Sequence, residues 1–180
     1  MGGEKELLKE INNYFNEYFK SKGWECTAAF SNDFSYDFSN DIIYYSFIVN
    51  EDHDKLFAEI CGSYKPEVAS VNNFILSLFH EIGHYMTCDI FTDKEWKHYD
   101  KQNDKFMDKL SKPISREEEL KLYRAYYNLE IEMEATMWGC DYIVAHWDEV
   151  HELYDGFRKL STEFLKSLGA TEEDLFEIFK

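Results

Sequence analysis

The start of the chain has apolar residues at helical spacing. Between residues 4 and 20 they recur every three to four positions, as on one face of an amphipathic helix. Gly23 follows as a stop signal. The members of this stripe are Leu7, Leu8, Ile11, Tyr14, Phe15, Tyr18 and Phe19. We expect the stripe to pack on the rest of the domain, and a partner-binding helix is the alternative.

The pattern changes between residue 24 and about residue 63. Clusters of Asp, Asn and Ser separate short runs rich in β-branched and aromatic residues, which is typical of strands. These runs are residues 26–30, 42–49 and 56–61. We therefore predict a small, mainly antiparallel sheet of about three strands, with residues 50–54 as a hairpin-like turn. His53 in that turn is expected to be a solvated loop residue.

The rest of the chain has mainly helical patterns. An apolar helix is predicted from about residue 67 to 86 or 87, and a charged helix over residues 94–110. A capping box that begins at Ser115 opens a long helix to about residue 146. A second helix then ends near residue 168, and a short one covers residues 175–179. No repeat or linker is visible, so residues 1–180 are expected to form one mostly helical α+β domain.

Composition narrows the class of protein. The net charge of −17 makes nucleic acid and anionic membranes poor partners, because both would be repelled. No segment has the character of a membrane span or of an apolar leader. The cysteines lack C-x-x-C spacing, which favours reduced thiols over disulfides or a Cys-type metal site. We therefore expect a soluble cytoplasmic protein. The cysteines are Cys26, Cys61, Cys88 and Cys140.

The apolar helix contains His80-Glu81-Ile82-Gly83-His84. Two histidines four positions apart lie on the same helix face, so both imidazoles can bind one ion. Glu81 is then placed to take a proton from metal-bound water. Gly83 costs roughly 1 kcal/mol of helix propensity relative to alanine, so the close approach of a strand or of the metal site is expected beside it. Spacing and context both suit a zinc hydrolase.

A catalytic zinc ion takes three protein ligands, and the third must come from elsewhere in the chain. The acid-rich segment 130–139 is the candidate donor. Glu132 shares its helix face with small residues, so that face can approach the motif helix closely. Those small residues are Ala135, Thr136 and Gly139. Glu132 is therefore favoured as the third ligand, and Glu134, which lies on a bulkier face, is the alternative.

The two motifs together resemble the ImmA/IrrE family of zinc metallopeptidases. That family has His-Glu-Leu-Gly-His followed by Glu-x-Glu-Ala-Asn/Asp-x-Phe-Ala. Here His80-Glu-Ile-Gly-His84 is followed by Glu132-Met-Glu-Ala-Thr-Met-Trp-Gly139. The second motif also looks like the wider gluzincin pattern, whose first Glu binds zinc, and this resemblance again implies Glu132. The resemblance to the ImmA/IrrE family implies a zincin-like domain. The similarity covers the two motif helices and the preceding sheet, which is roughly half of the chain.

The resemblance implies an endopeptidase that acts on a specific intracellular protein. Zinc would be held by His80, His84 and Glu132, with Glu81 as general base and the protein substrate paired with an edge of the sheet. The sequence does not choose among the candidate oxyanion donors, which are Tyr85, His98, Tyr99, Tyr142, His146 and His151.

Two other functions remain open on the sequence alone. Thr136 stands where the family has Asn or Asp, and this departure supports a weakly active or inactive zincin-fold binding protein of phage or toxin–antitoxin type. A metal-free helical scaffold is the third hypothesis.

Overall fold

The computed structural model describes residues 2–179. In this part of the chain most residues are helical and a small sheet lies near the start, which confirms the predicted α+β class. The helices are α1 (Gly2–Ser21), α2 (Glu51–Tyr64), α3 (Asn73–Thr87), α4 (Asp93–Leu110), α5 (Arg116–Tyr126), α6 (Glu130–Ala145), α7 (Trp147–Ser167) and α8 (Glu172–Phe179). None of these described helices is both long and apolar enough to cross a membrane.

The sheet is mixed rather than mainly antiparallel. Its strands are β1 (Thr27–Phe30), β2 (Ser35–Asp37) and β3 (Ile42–Tyr45), in the order β1-β3-β2. Strand β1 runs parallel to β3, and β2 runs antiparallel to it. The parallel pairing was missed because the short strand β2 was not predicted. It lies between β1 and β3 in the sequence and returns the chain, so that β1 and β3 run in the same direction.

The third predicted strand, residues 56–61, is wrong, because this run lies inside helix α2. Its buried residues are Leu56, Phe57, Ile60 and Cys61, a spacing that fits one helix face better than a strand. Asn50 caps the helix by accepting a hydrogen bond from the His53 backbone at 3.4 Å. The predicted hairpin turn is therefore the beginning of α2.

Two helix boundaries also differ from prediction. Helix α3 begins at Asn73, after a separate 3-10 turn over Pro66–Ser70. The helix that begins after Ser115 has the predicted capping box with Glu118 but ends at Tyr126. There the Asn128 side chain donates to the Arg124 carbonyl at 2.7 Å, which closes α5 before α6 starts. The boundaries of α4, α7 and α8 are confirmed to within a few residues.

Helix α1 packs its aromatic stripe into the core, as expected. Ile11, Phe15 and Phe19 are fully buried. The Phe15 ring lies 6.2 Å from that of Phe74 on α3 and 5.1 Å from that of Phe157 on α7. These buried rings from three helices hold one face of α3 against the core. The opposite face of α3 can therefore carry polar side chains.

Candidate metal centre

Helices α3 and α6 approach each other until their backbones touch, and two glycines make this contact. A Cβ atom on Gly83 would overlap the backbone of Ala135, and one on Gly139 would lie 2.7 Å from the Phe79 carbonyl oxygen. The close neighbour of Gly83 is therefore helix α6 and not the expected strand. This contact places the Glu132 face of α6 directly against the two histidines of α3.

Three ligand atoms converge where the helices meet. The Nε2 atoms of His80 and His84 lie 3.2 Å apart, and they lie 3.1 Å and 3.4 Å from Oε2 of Glu132. Zinc bonds of about 2.0–2.1 Å in tetrahedral geometry require ligand atoms about 3.3 Å apart. The three side chains therefore form a site that can hold a metal ion.

Burial distinguishes the three candidate glutamates of α6. Glu132 is fully buried, whereas Glu134 is half-buried and Glu130 is exposed. Neither Glu134 nor Glu130 belongs to the group of ligand atoms that meet. The small residues on the Glu132 face allow the close approach of α3, as the sequence argument expected.

Thr136 fixes the orientation of His80. Its hydroxyl donates to the backbone carbonyl of Glu132 at 2.8 Å, one turn back on α6. Because that hydrogen is used, the Thr136 oxygen accepts the Nδ1–H of His80 at 3.0 Å. The proton of His80 is thereby held on Nδ1, and the lone pair of Nε2 faces Glu132 and His84.

The second carboxylate oxygen of Glu132 is held by a tyrosine pair. The Tyr99 hydroxyl on α4 donates to Oε1 of Glu132 and lies 2.9 Å from the Tyr126 hydroxyl on α5. Burial first, and then the Glu132 carboxylate, raise the pKa of Tyr99, so this hydroxyl keeps its proton. Oε2 is therefore the oxygen of Glu132 that remains available to an ion.

The charges at the centre favour a cation. Burial raises the pKa of Glu132, but the adjacent His84 and His80 outweigh burial and hold this pKa well below its usual range. Burial lowers the pKa of His84, yet the Glu132 carboxylate reverses this and leaves it raised. The buried Glu132 carboxylate thus favours positive charge beside it, as the raised pKa of His84 shows, and a divalent ion supplies that charge without a proton.

Glu81 lies beside this group and faces a cleft. It is 8% exposed, and among the described residues it has no hydrogen-bond partner. Burial raises the pKa of its carboxyl group against the opposing effect of His80 and His84. A carboxylate with a raised pKa accepts a proton more readily near neutral pH, which is the property of a general base.

The cleft has a volume of about 1350 Å³. Its lining comes from strand β2, α3, α4, α5 and the start of α2, and it includes His80, Glu81, His84 and Glu132. Strand β2 is an edge strand, paired on one side with β3. The cleft is therefore an open groove that passes the candidate metal centre.

Most of the candidate oxyanion donors lie outside the cleft. Of the six, Tyr99 is in the lining, and its hydroxyl is used by Glu132. The other five are engaged elsewhere, for example Tyr85, which accepts a hydrogen bond from the Glu25 backbone at 3.0 Å. His146 stacks on Tyr142 with ring centroids 4.2 Å apart, at the junction of α6 and α7.

The sequence argument missed two residues of the cleft. His53 is a helix residue in the lining rather than a solvated loop residue, and its Nε2 lies 3.0 Å from the Tyr127 hydroxyl. The Tyr127 ring is in turn 5.8 Å from that of His80. No local pattern signals this contact, because His53 and Tyr127 are 74 positions apart.

Comparison of the chain with protein-family models, curated proteins and solved structures gave no significant match.

Proposed function

We propose that this protein is a zinc-dependent metallopeptidase of the zincin-like type that hydrolyses a peptide bond in a specific protein substrate. The observation that carries the proposal is the triangle formed by Nε2 of His80, Nε2 of His84 and Oε2 of Glu132, with sides of 3.1–3.4 Å. Glu81 lies next to it at the floor of an open groove.

The chemistry of the ligands supports zinc. Two imidazole nitrogens and one carboxylate oxygen suit Zn²⁺, and three protein ligands leave a fourth position open, as in catalytic zinc sites. A bound Zn²⁺ supplies a Lewis acid that polarises the substrate carbonyl and lowers the pKa of a water molecule. The hydrogen bond that Thr136 accepts from His80 and the one that Tyr99 donates to Glu132 hold these two side chains in the geometry that such an ion needs.

The protein's own residues then perform the proton transfers. Glu81 takes a proton from the attacking water, since burial raises the pKa of its carboxyl group. It later delivers that proton to the leaving amine, so the carboxylate is regenerated. The exposed edge of β2 offers backbone groups to an extended peptide in the groove.

Two further observations bear on the compartment and on the alternative function. All four cysteines are free thiols, which fits a reducing compartment such as the cytoplasm. The departure at Thr136 motivated an inactive binding protein, but the hydroxyl of this residue provides an acceptor for His80. Thr136 therefore does not favour the inactive protein over the enzyme.

The test combines metal content with one substitution. Purified protein is expected to contain about one zinc ion per chain, and Glu81→Gln is expected to keep the ion while losing at least about 10²-fold in cleavage rate. A library of quenched fluorescent peptides measures the rate. Unchanged cleavage by Glu81→Gln, or a chain that takes up no metal, would contradict the proposal.

A further inference from the structure

The groove is acidic well beyond the metal centre. Apart from Glu81 and Glu132, seven carboxylate side chains are in its lining. Lys55 is the one Lys or Arg of the described lining, and it is already paired with Glu51 at 2.8 Å. The groove therefore concentrates the negative charge of a chain whose net charge is −17.

Several of these carboxylates lack a cationic partner. In the described part of the chain, four of them form no ion pair with Lys or Arg, although other acids such as Asp141 and Glu59 do. The four are all exposed at the groove, and they are Asp33, Asp41, Asp89 and Asp100. Their charges are available to a bound partner.

One acidic group lies on the His84 side of the metal centre. Asp89 comes one residue after Cys88, just beyond the end of α3, and Asp41 accepts a hydrogen bond from Tyr36 at 2.5 Å. Burial first, and then Asp89 and Asp41, raise the pKa of the Cys88 thiol, so both carboxylates act at the same place.

The other acidic group lies on the His80 side. The ring of His80 contacts that of Tyr127, which in turn contacts His53. The His53 ring then lies 4.5 Å from that of Tyr123. Asp33 precedes Phe34, whose ring lies 5.3 Å from that of Phe74 at the beginning of α3, and it contributes after burial and Glu119 to the raised pKa of Tyr123. The metal centre therefore lies between two acidic regions of the same groove.

The rim of the groove also presents apolar side chains to solvent. Phe38, Ile48, Val49 and Met107 are in the lining, with exposures between 41% and 63%. Exposed apolar residues along an acidic groove suit a partner that alternates cationic and apolar side chains.

We propose that the groove selects an extended, cationic protein segment, with Lys or Arg on both sides of the bond at the metal centre and apolar side chains between them. This inference rests on the proposed function for the position of that bond. Charge complementarity would raise the association rate and exclude acidic segments. An acidic segment would face unpaired carboxylates along the full length of the groove.

Binding is measured separately from cleavage. Zinc-loaded Glu81→Gln is titrated with fluorescein-labelled peptides of equal length and apolar content that carry four Lys, four Gln or four Glu. Fluorescence anisotropy is expected to show the Lys peptide binding about tenfold or more tightly than the Gln peptide, and the Glu peptide not binding. This preference should shrink as salt rises from about 50 mM to about 500 mM.

A matched pair of variants assigns the effect to the groove. Asp41→Asn combined with Asp89→Asn is expected to weaken binding of the Lys peptide about three- to tenfold. Glu10→Gln combined with Glu163→Gln removes the same charge from exposed positions outside the groove lining and is expected to leave binding unchanged. Asp33→Asn combined with Asp100→Asn repeats the first test with other groove residues.

The outcomes separate this inference from the proposed function. Equal binding of the three peptides, or equal losses in the groove and control variants, would overturn the inference. Cleavage without charge preference would leave the peptidase standing. Selective binding of the Lys peptide by a protein that cleaves none of the peptides would instead retain the cationic partner and remove the peptidase.

Discussion

The Thr136 hydroxyl and the His80 imidazole form a directed pair, with Oγ1 and Nδ1 3.0 Å apart. The direction follows from the helix, because the same hydroxyl donates to the Glu132 carbonyl at 2.8 Å and has its lone pairs left for the histidine. Thr136 of α6 thus sets the tautomer of His80 on α3, and the backbone carbonyl of Glu132 takes part in this arrangement.

Substitution of Thr136 is expected to reduce metal affinity without unfolding the protein. Thr136→Val keeps the shape but removes the acceptor, so Nδ1 of His80 becomes a buried donor without a partner. We expect zinc affinity to fall about 10–100-fold, measured by competition with a chromophoric chelator. Thr136→Ser keeps the hydroxyl and serves as the control. Equal affinity of the Val and Ser variants would contradict this role.

Tyr99 is expected to matter more than Tyr126 for the third ligand. Tyr99→Phe removes the hydroxyl that donates to Oε1 of Glu132, so the carboxylate can rotate. Zinc affinity should fall about tenfold in the same competition assay. Tyr126→Phe removes a hydroxyl that lies 2.9 Å from Tyr99 and should have a smaller effect. A larger loss of zinc affinity in Tyr126→Phe than in Tyr99→Phe would show that Tyr126 is the principal donor.

The glycine contacts between α3 and α6 are expected to tolerate no side chain. Gly83→Ala places a methyl group against the Ala135 backbone, where no flexible side chain can move away. We expect about 2–4 kcal/mol of lost stability in chemical denaturation. Gly62→Ala, within helix α2, is the control, since its Cβ would lie at an ordinary 3.4 Å from the Cβ of Ala69. Comparable losses in both variants would refute the backbone contact.

The hydrogen bonds that join Glu149 of α7 to Tyr18 of α1 and to Lys22 predict that stability depends on pH. Glu149 accepts hydrogen bonds from Lys22 and, at 2.6 Å, from Tyr18. Burial raises its pKa, but these partners outweigh burial and leave it lowered. Because its pKa is lower in the folded state, Glu149 stabilises the protein at pH values above about 4.3, the ordinary pKa of a glutamate. This contribution is lost as the pH falls through the pKa that Glu149 has in the folded protein.

Thermal melting of Glu149→Gln tests the direction of this pH dependence. The melting temperature of the variant should lie below that of the natural protein at pH 7. This difference should narrow as pH falls below about 4.3 and Glu149 takes up a proton in the folded protein. Glu163→Gln, at an exposed position of α7, should show no such difference at neutral or acidic pH. A difference that widens on acidification would mean that the carboxylate does not stabilise the fold.

The residues of the candidate metal centre could be predicted because their signals are local. His80 and His84 are one helical turn apart, and the small residues beside Glu132 showed which face of α6 would approach them. The rest depends on contacts between distant segments. Tyr99 meets Glu132 across 33 positions of the chain, and neither spacing nor composition records that contact. The strand error at residues 56–61 had another cause, since a short apolar run fits both periodicities.

Helix α4 supplies the hydroxyl that holds Glu132, yet none of its residues is buried. Helix α4 contacts the rest of the protein through partly exposed aromatic rings. Trp96 lies 4.6 Å from Phe38, and Phe106 stacks on Tyr126. Segments with so little buried surface open at low free-energy cost. A displacement of α4 would widen the groove and remove the Tyr99–Glu132 hydrogen bond together. Access to the groove and the orientation of the Glu132 carboxylate would therefore change together.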